Sequence, residues 1–169
     1  MIILSLGSNL DSTFGNRKDN LNLAIAFLEG YGIKVEKKSS FYETPSYPDK
    51  SLPRFLNLII LVNTELPIVD LMSVLIHIET KLERVRKLKN GPRTCDIDII
   101  DFNGLIKRNK LLELPHPRSH TRNFVLYPIK EIDPKWIHPI FKKNVDFLIN
   151  ELSQNSRIEI TRLRKSVII

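Results

Sequence analysis

Two aspartates separated by a single residue, Asp96 and Asp98, are the residues of this chain whose types and spacing most clearly suggest chemistry. Alternate side chains of a β-strand lie on one face, so both carboxylates would point the same way with their Cα atoms about 6.6 Å apart. Carboxylate oxygens arranged in this way are typical ligands of Mg²⁺, which also binds substrate phosphates. The alternative is a solvent-facing pair on an edge strand, neutralised by nearby Arg or Lys.

A basic segment directly precedes the two aspartates and favours the metal interpretation. Residues 84–93 contain five basic side chains and no acidic one. Because arginine can bind phosphate oxygens bidentately, a metal ion and a polyphosphate would lie between the two opposite charges. Lys87 and Lys89 are equally well explained as the solvated end of a helix.

A second basic cluster contains His116, Arg118, His120 and Arg122. Zinc ligation is not expected there, because cysteine or acidic partners are missing nearby. Contact with phosphate or hydroxyl groups is the better interpretation, and capping of the Pro-His-Pro turn by His116 is the alternative. The sequence also lacks a glycine-rich phosphate loop, so phosphate binding must come from side chains.

Length and composition predict one folded domain over residues 1–169, with 42% apolar and 27% charged residues. The formal charge of +7 favours a polyanionic partner, such as a nucleotide polyphosphate, nucleic acid or anionic lipid. Cys95 is the only cysteine, which excludes an intrachain disulfide. We expect a cytoplasmic protein with no membrane partner, because the sequence contains neither a signal-peptide pattern nor a long apolar run.

The hydrophobic pattern predicts the elements that must position these residues. Strands are expected at 2–6, 33–42, 56–62, 95–102 and 158–163, and helices at 21–28, 67–85, 124–132 and 145–152. Asn103-Gly104 predicts a hairpin that returns through Leu105-Ile106. This order indicates an α+β fold with a mainly antiparallel sheet and packed helices, since hairpin-type connections dominate it.

Several motifs occur in the order found in the 6-hydroxymethyl-7,8-dihydropterin pyrophosphokinases of the folate pathway. They are Gly7-Ser8-Asn9-Leu10, Ser40-Phe41-Tyr42-Glu43-Thr44-Pro45, Phe55-Leu56-Asn57, Arg84-Val85-Arg86, Gly91-Pro92-Arg93-Thr94-Cys95-Asp96-Ile97-Asp98 and Pro115-His116-Pro117-Arg118. The Gly-Pro-Arg-Thr-x-Asp-x-Asp run is highly specific. On these motifs the chain is identified as a member of that family.

The resemblance implies transfer of the β,γ-pyrophosphoryl group of ATP to the pterin hydroxymethyl oxygen, with release of AMP. It implies a ferredoxin-like α+β core with helices on both sides of the sheet, and two Mg²⁺ ions held by Asp96 and Asp98. The catalytic residues would be Arg84, Arg86, Arg93, Asp96 and Asp98. The ATP-binding residues would be Glu79, Arg84, Arg86, Arg93, Ile99, His116, Arg118 and Arg122. The pterin-binding residues would be Thr44, Pro45, Phe55, Asn57 and Phe124.

The physical chemistry of the pterin residues agrees with these roles. A flat pterin fits between two aromatic rings, here Phe55 and Phe124, while Asn57 offers a donor and an acceptor. The alternative is that both phenylalanines belong to the core. Three positions depart from the family: Phe55 replaces a frequent tyrosine, Asn90 a tryptophan of some members, and His120 a more strongly charged residue.

Two loops flank the expected site, at 46–53 and 87–92, and we expect both to close over bound ATP. We expect a monomer without a nucleic-acid partner and assign residues after 140 to structure alone. An RNA-binding domain is the alternative from another class, but it requires aromatic residues interleaved with basic ones on the strands. A two-metal nucleotidyltransferase is the nearer alternative, and it would release pyrophosphate rather than AMP.

Overall fold

The computed structural model describes residues 1–87 and 89–164. Eight strands are present in this part of the chain: β1 (Ile2–Ser8), β2 (Lys34–Lys38), β3 (Tyr42–Thr44), β4 (Phe55–Asn63), β5 (Asp96–Phe102), β6 (Lys107–Arg108), β7 (Glu113–Leu114) and β8 (Thr161–Arg162). The described α-helices are α1 (Arg17–Gly30), α2 (Ile68–Lys81), α3 (Asn123–Ile132), α4 (Val145–Asn150) and α5 (Gln154–Ile158). A short 3-10 helix covers Ser119–Thr121.

The main sheet is antiparallel and has the strand order β5-β1-β4-β3-β8, with β2 also paired to β4. Strands β2 and β3 pair with opposite ends of the long β4, so together they act as one interrupted strand. The order β-α-β-β-α-β is that of a ferredoxin-like unit. The predicted α+β class with a mainly antiparallel sheet is confirmed.

Helices pack on both faces of this sheet. On one face, α1 and α2 bury alternate residues of the central strands, such as Leu4, Leu58 and Ile97. On the other face, α3 and α4 cover Ile3 and Ile59 together with other residues of the core. This second layer also buries Trp136, whose indole nitrogen donates to Asp101 Oδ2 at 2.9 Å.

The second layer covers only part of its sheet face. The helices α3 and α4 pack over Ile3, Ile59 and Ile100. Further along the same face, small or polar residues replace the aliphatic ones, including Gly7 on β1, Asn57 on β4 and Asp96 on β5, which the strand register places side by side. This uncovered part of the face is the floor of the candidate site.

The hairpin predicted at Asn103-Gly104 is wrong, although the turn itself forms. Both residues have positive φ, at 54° and 73°, but the chain then leaves the sheet and β6 pairs with β7 instead. The free edge of β5 is occupied by other groups, since Glu79 accepts from the Ile97 amide and the His116 amide donates to the Ile100 carbonyl.

Two further strand predictions needed correction. The segment 33–42 is interrupted, because Ser39 bonds Ile59 through its amide and its hydroxyl while the chain bends out of the sheet. The strand expected at 158–163 is limited to Thr161–Arg162. The preceding residues form α5, whose N-terminus is capped by the Ser153 hydroxyl.

Candidate active site

A cavity of about 870 Å³ opens over the uncovered sheet face, a size typical of small-molecule sites. Its floor crosses β5, β1, β4 and β3, a distance of about 14 Å at the usual strand spacing. The predicted site residues that line it are Thr44, Phe55, Asn57, Glu79, Arg84, Arg86, Arg93, Asp96, Asp98, Ile99, His116, Arg118, Arg122 and Phe124. Pro45 is buried beside Thr44 and does not line the cavity.

Gly7 keeps the middle of this floor open. A Cβ atom there would lie 3.3 Å from Asn57 Oδ1 and 3.6 Å from the ring of Phe55. The first distance is shorter than an ordinary van der Waals contact, so a side chain at Gly7 would push against the residues of the pocket. This close approach explains a glycine at the end of β1.

Asp96 is held between two arginines. Its Oδ1 accepts from Arg84 at 2.7 Å and its Oδ2 from Arg93 at 3.0 Å. Burial by itself raises the pKa of Asp96, but the guanidiniums of Arg93 and Arg84 outweigh it and hold the pKa below its ordinary value. Asp96 is therefore ionised and its position is fixed.

Asp98 has weaker partners than Asp96. The nearest atoms are Arg122 Nη1 at 3.5 Å and His116 Nε2 at 3.6 Å. Burial and then the negative charge of Asp96 raise its pKa to about 6. The positive charges of Arg122 and Arg93 therefore compensate the second carboxylate only in part.

Glu79 is a buried carboxylate that holds Arg84 and Arg86 in position. This residue is 3% exposed, and its carboxylate accepts from Arg84 at 2.6 Å, Arg86 at 2.7 Å and the Ile97 amide at 2.8 Å. Burial raises its pKa, although these partners act in the opposite direction. Arg84 thus bridges Glu79 and Asp96, while Arg86 remains largely exposed at the cavity mouth.

His116, Arg118 and Arg122 form the opposite wall. Burial, followed by the charges of the two arginines, lowers the pKa of His116 to about 4. The ring is neutral at pH 7, and its Nδ1 accepts from the Arg118 amide at 3.1 Å. Its Nε2 therefore carries the proton and faces the cavity as a hydrogen-bond donor. This contact is the one expected from the turn-capping alternative for His116, and it leaves Nε2 for the predicted contact with phosphate.

The donor set fits a hard divalent cation. Asp96 and Asp98 lie on one face of β5, and a cation there would relieve the repulsion that raises the pKa of Asp98. Among residues 1–87 and 89–164, no group of three or more His, Cys, Asp or Glu side chains could hold a metal ion. The remaining ligands would have to be water or substrate oxygens, which is the usual coordination of Mg²⁺.

The β3 and β4 side of the cavity has an aromatic and amide character. Asn57 Nδ2 donates to Thr44 Oγ1 at 2.9 Å and to the Tyr42 carbonyl at 3.2 Å, so its Oδ1 is turned towards the cavity floor beside Gly7. Phe55 and Phe124 are half-buried and line the space between them. Phe124 also packs against the core formed by α3 and α4, so it combines the core and cavity placements.

Arginines connect the aromatic side of the cavity to the charged side. The Arg93 guanidinium lies 4.7 Å from the centroid of the Phe55 ring, and that of Arg122 lies 5.3 Å from the Phe124 ring. Such contacts between a cation and an aromatic face stabilise both groups. The β5 edge of the cavity is apolar instead, since Ile99, Met72, Leu75 and Leu111 are among the residues that line it.

Several residues of the site were missed by the sequence analysis. Asn9 is 3% exposed, and its amide group bonds Ser46 Oγ and the Pro53 carbonyl while accepting from the Arg93 amide. It therefore joins the 46–53 and 84–93 segments. Its place in a turn directly after a buried strand was the available signal.

The C-terminal part of the chain also contributes to the wall, which corrects its assignment to structure alone. Ser153, Asn155, Ser156 and Glu159 line the cavity together with Tyr47 and Lys50. The sequence gives no signal for this placement, because these are common surface residues that the fold brings to the site from more than one hundred positions away.

Comparisons with known proteins show which family the chain resembles. The sequence model of 7,8-dihydro-6-hydroxymethylpterin-pyrophosphokinase (HPPK) matches residues 3–134. The chain is 36% identical to the 2-amino-4-hydroxy-6-hydroxymethyldihydropteridine pyrophosphokinase of Aquifex aeolicus, over 84% of this chain and 86% of that protein. It is 38% identical to the Bacillus subtilis protein of the same name, over 76% and 75% of the two chains.

Longer proteins also contain a similar region. The chain is 37% identical to the folic acid synthesis protein FOL1 of Dictyostelium discoideum, but it spans only 20% of that protein. A solved structure of Plasmodium falciparum HPPK-DHPS is similar in fold, with a TM-score of 0.71 at 16% identity over 95% of this chain and 46% of that one. With its sequence motifs, its strand order and these relatives taken together, the chain belongs to the 7,8-dihydro-6-hydroxymethylpterin-pyrophosphokinase family.

Proposed function

We propose that this chain transfers the β,γ-pyrophosphoryl group of ATP to 6-hydroxymethyl-7,8-dihydropterin, giving AMP and the pterin diphosphate in folate biosynthesis. One observation carries the proposal: a single cavity is lined by a carboxylate and arginine cluster on one side and by two aromatic rings on the other. The first suits a polyphosphate, and the second suits a flat heterocycle. Membership of the family gives the same reaction.

In the proposed reaction, the hydroxymethyl oxygen bonds to the β-phosphorus and loses its proton. The bond between the β-phosphorus and the oxygen that bridges to the α-phosphorus breaks, and AMP leaves with that oxygen. Such transfers depend mainly on positioning and on neutralising charge, so no covalent intermediate with the protein is needed.

The charged residues of the cavity would bind the triphosphate. Arg86, Arg118 and Arg122 are not fully used by partners inside the protein and are available to phosphate oxygens. Arg84 and Arg93 are oriented by Asp96, and neutral His116 adds a donor. The adenine would lie at the apolar β5 edge beside Ile99.

Asp96 and Asp98 would hold Mg²⁺, for which we propose two ions. When bound, the metal would neutralise charge on the reacting phosphates. The pterin would lie between Phe55 and Phe124, with Asn57 and Thr44 at its polar edge and the buried Pro45 next to Thr44. We further propose that residues 1–169 act as one domain, as a cytoplasmic monomer without a nucleic-acid partner.

None of the helices in the described ranges is long and apolar enough to cross a membrane. The segments 46–53 and 87–92 remain proposed lids over bound ATP, and Leu88 of the second lies outside the described residues. A substrate-dependent change in amide exchange at both segments would support this role.

The test is incubation of the purified chain with ATP, Mg²⁺ and 6-hydroxymethyl-7,8-dihydropterin. We expect equal amounts of AMP and pterin diphosphate, and loss of both products when EDTA is added. The Asp98→Asn variant should be folded and inactive, which separates the reaction from a contaminating activity. Release of free pyrophosphate would instead indicate a nucleotidyltransferase, and no turnover by folded protein would contradict the proposal.

A further inference from the structure

The C-terminal segment 153–162, which lies beyond the family match at residues 3–134, reaches back to the wall of the cavity. Its strand β8 pairs with β3, the strand that carries Thr44, through Arg162 opposite Tyr42 and Thr161 opposite Glu43. The segment is therefore an additional edge of the sheet at the aromatic side of the site, where the proposed pterin would bind.

Polar contacts fix this segment against the second layer. Asn123, the first residue of α3, donates from Nδ2 to the Ser156 carbonyl at 2.7 Å. Arg162 donates to Glu131 at 3.0 Å, and the same carboxylate accepts from Ser40 and Tyr42. These contacts place α5 and the adjacent Glu159 at a defined position beside the N-terminus of α3.

Glu159 contacts two residues of the 46–53 segment, Tyr47 and Lys50. One carboxylate oxygen accepts from the Tyr47 hydroxyl and the other from the Lys50 ammonium. The Glu159 side chain is only 20% exposed to solvent, although it lies near the surface. Burial and the bond to Glu159 raise the pKa of Tyr47 to about 12, so the hydroxyl stays protonated as a donor.

The 46–53 segment has different supports at its base and in its middle. Its two ends are joined to Asn9 through Ser46 and the Pro53 carbonyl. Its middle is exposed, and the contacts of Tyr47 and Lys50 with Glu159 hold this part against the body of the protein. Loss of Glu159 would therefore release the middle of the segment without disturbing its ends.

We propose that Glu159 is a positioning residue that holds the 46–53 segment over the pterin side of the cavity through Tyr47 and Lys50. The C-terminal segment thereby sets the affinity for the pterin, an inference that rests on the proposed function. The phosphate-binding residues lie across the sheet on β5 and on the segments beside it. Since the 46–53 segment is also a proposed lid over ATP, the contact should affect pterin binding strongly and ATP binding much less.

The test compares steady-state kinetics of the wild-type chain with Glu159→Gln and Lys50→Met. We expect each variant to raise the KM for the pterin about 5- to 10-fold, in the range for losing one ordinary hydrogen bond at a partly exposed site. The KM for ATP and the kcat should stay within a factor of two of wild type, roughly the effect of a neutral surface change. Glu151→Gln is the matched control, because Glu151 is exposed in the same part of the chain.

Exchanging the charges of Lys50 and Glu159 distinguishes loss of their contact from a general folding defect. The double variant Lys50→Glu with Glu159→Lys should recover most of the pterin affinity, whereas each single reversal should lose it. An unchanged pterin KM in Glu159→Gln, or equal increases for both substrates, would overturn the inference. A wild-type chain without turnover would instead contradict the proposed function, and pterin binding measured by calorimetry would then still test the role of Glu159.

Discussion

At the scale of single residues, the two aspartates of β5 have opposite electrostatic environments. Asp96 is compensated by Arg84 and Arg93, whereas the nearest guanidinium to Asp98, that of Arg122, lies 3.5 Å away. The protein therefore holds one carboxylate ionised and carries the second at an energetic cost. A bound cation would offset that cost, which links substrate binding to stability.

Asp98→Asn should stabilise the metal-free protein above neutral pH. The folded-state pKa of Asp98 is raised from 3.8 to about 6, so the folded state binds more protons than the unfolded state between these values. The contribution of Asp98 to stability therefore falls as pH rises through this window. We expect a melting temperature about 1–4 °C above wild type at pH 7.5, with no gain near pH 4.

Thermal unfolding monitored by circular dichroism in EDTA measures this difference. Asp96→Asn is the matched comparison, and it should lower the melting temperature because it leaves Arg84 and Arg93 without their shared partner. Equal effects of the two substitutions would show that the environments of the aspartates are alike.

Glu79→Gln should cost both stability and activity. The substitution removes the negative charge that pairs with Arg84 and Arg86 inside the protein. Breaking a buried ion pair of this kind costs about 3 kcal/mol, and denaturant unfolding measures it. Glu36→Gln, on the exposed face of β2, is the control and should change stability little. A decrease in the free energy of unfolding below about 1 kcal/mol would indicate that the ion pairs of Glu79 contribute little to stability.

At the scale of elements, hydrophobic periodicity predicted those with a continuous apolar face. The strands β1, β4 and β5 and the helices α1 and α2 were expected close to their observed positions, because each carries a long apolar run or apolar face that is buried in the core. The elements β6, β7, β8 and α5 are short and contribute little to the core. Their conformations depend on tertiary contacts that local sequence does not contain.

In the site, too, features that follow from local sequence were predictable, whereas those that depend on tertiary contacts were not. The Asp96 and Asp98 pair was predictable because a strand places alternate side chains on one face. The role of Asn9 as a link between segments depends on contacts with residues 37, 44 and 84 positions away. Local sequence patterns do not predict contacts between residues so far apart in the chain. The contact between Tyr47 and Glu159 could not be predicted for the same reason.

Asn9→Ala should weaken the binding of both substrates. The substitution removes the side-chain bonds to Ser46, Pro53 and Arg93, and so loosens the segments on both sides of the cavity. We expect the KM values for ATP and pterin to rise together, each by about 10-fold for the loss of a buried hydrogen-bond network. Steady-state kinetics with each substrate varied in turn measures this. An increase for the pterin alone would show that the 84–93 segment is held without Asn9.

At the scale of the whole molecule, buried histidines make stability depend on pH. Burial, followed by the nearby His120, lowers the pKa of His138 to about 4. The neutral ring accepts from the Ile140 and Phe141 amides through Nδ1, at 3.2 Å and 3.3 Å. Since the folded state binds fewer protons than the unfolded state between pH 4 and 6.5, stability falls as pH decreases through that window.

His138→Asn should make this dependence on pH weaker. An asparagine Oδ1 can replace the Nδ1 acceptor, yet the side chain does not titrate. We expect the melting temperature of the variant to fall less than that of wild type between pH 6.5 and 5, although it is lower at pH 7.5 because the ring is lost. His77→Asn, at an exposed histidine of α2, is the control. Parallel curves for wild type and His138→Asn would contradict the assignment.

The buried indole of Trp136 provides a fluorescence signal for the unfolding experiments. It is the only tryptophan of the chain, is 2% exposed, and packs in the layer of α3 and α4 rather than in the wall of the substrate cavity. Intrinsic fluorescence will therefore shift to longer wavelength on unfolding but remain nearly constant when ATP and Mg²⁺ are added. A single emission signal can thus measure folding in the presence of nucleotide without a separate correction for binding.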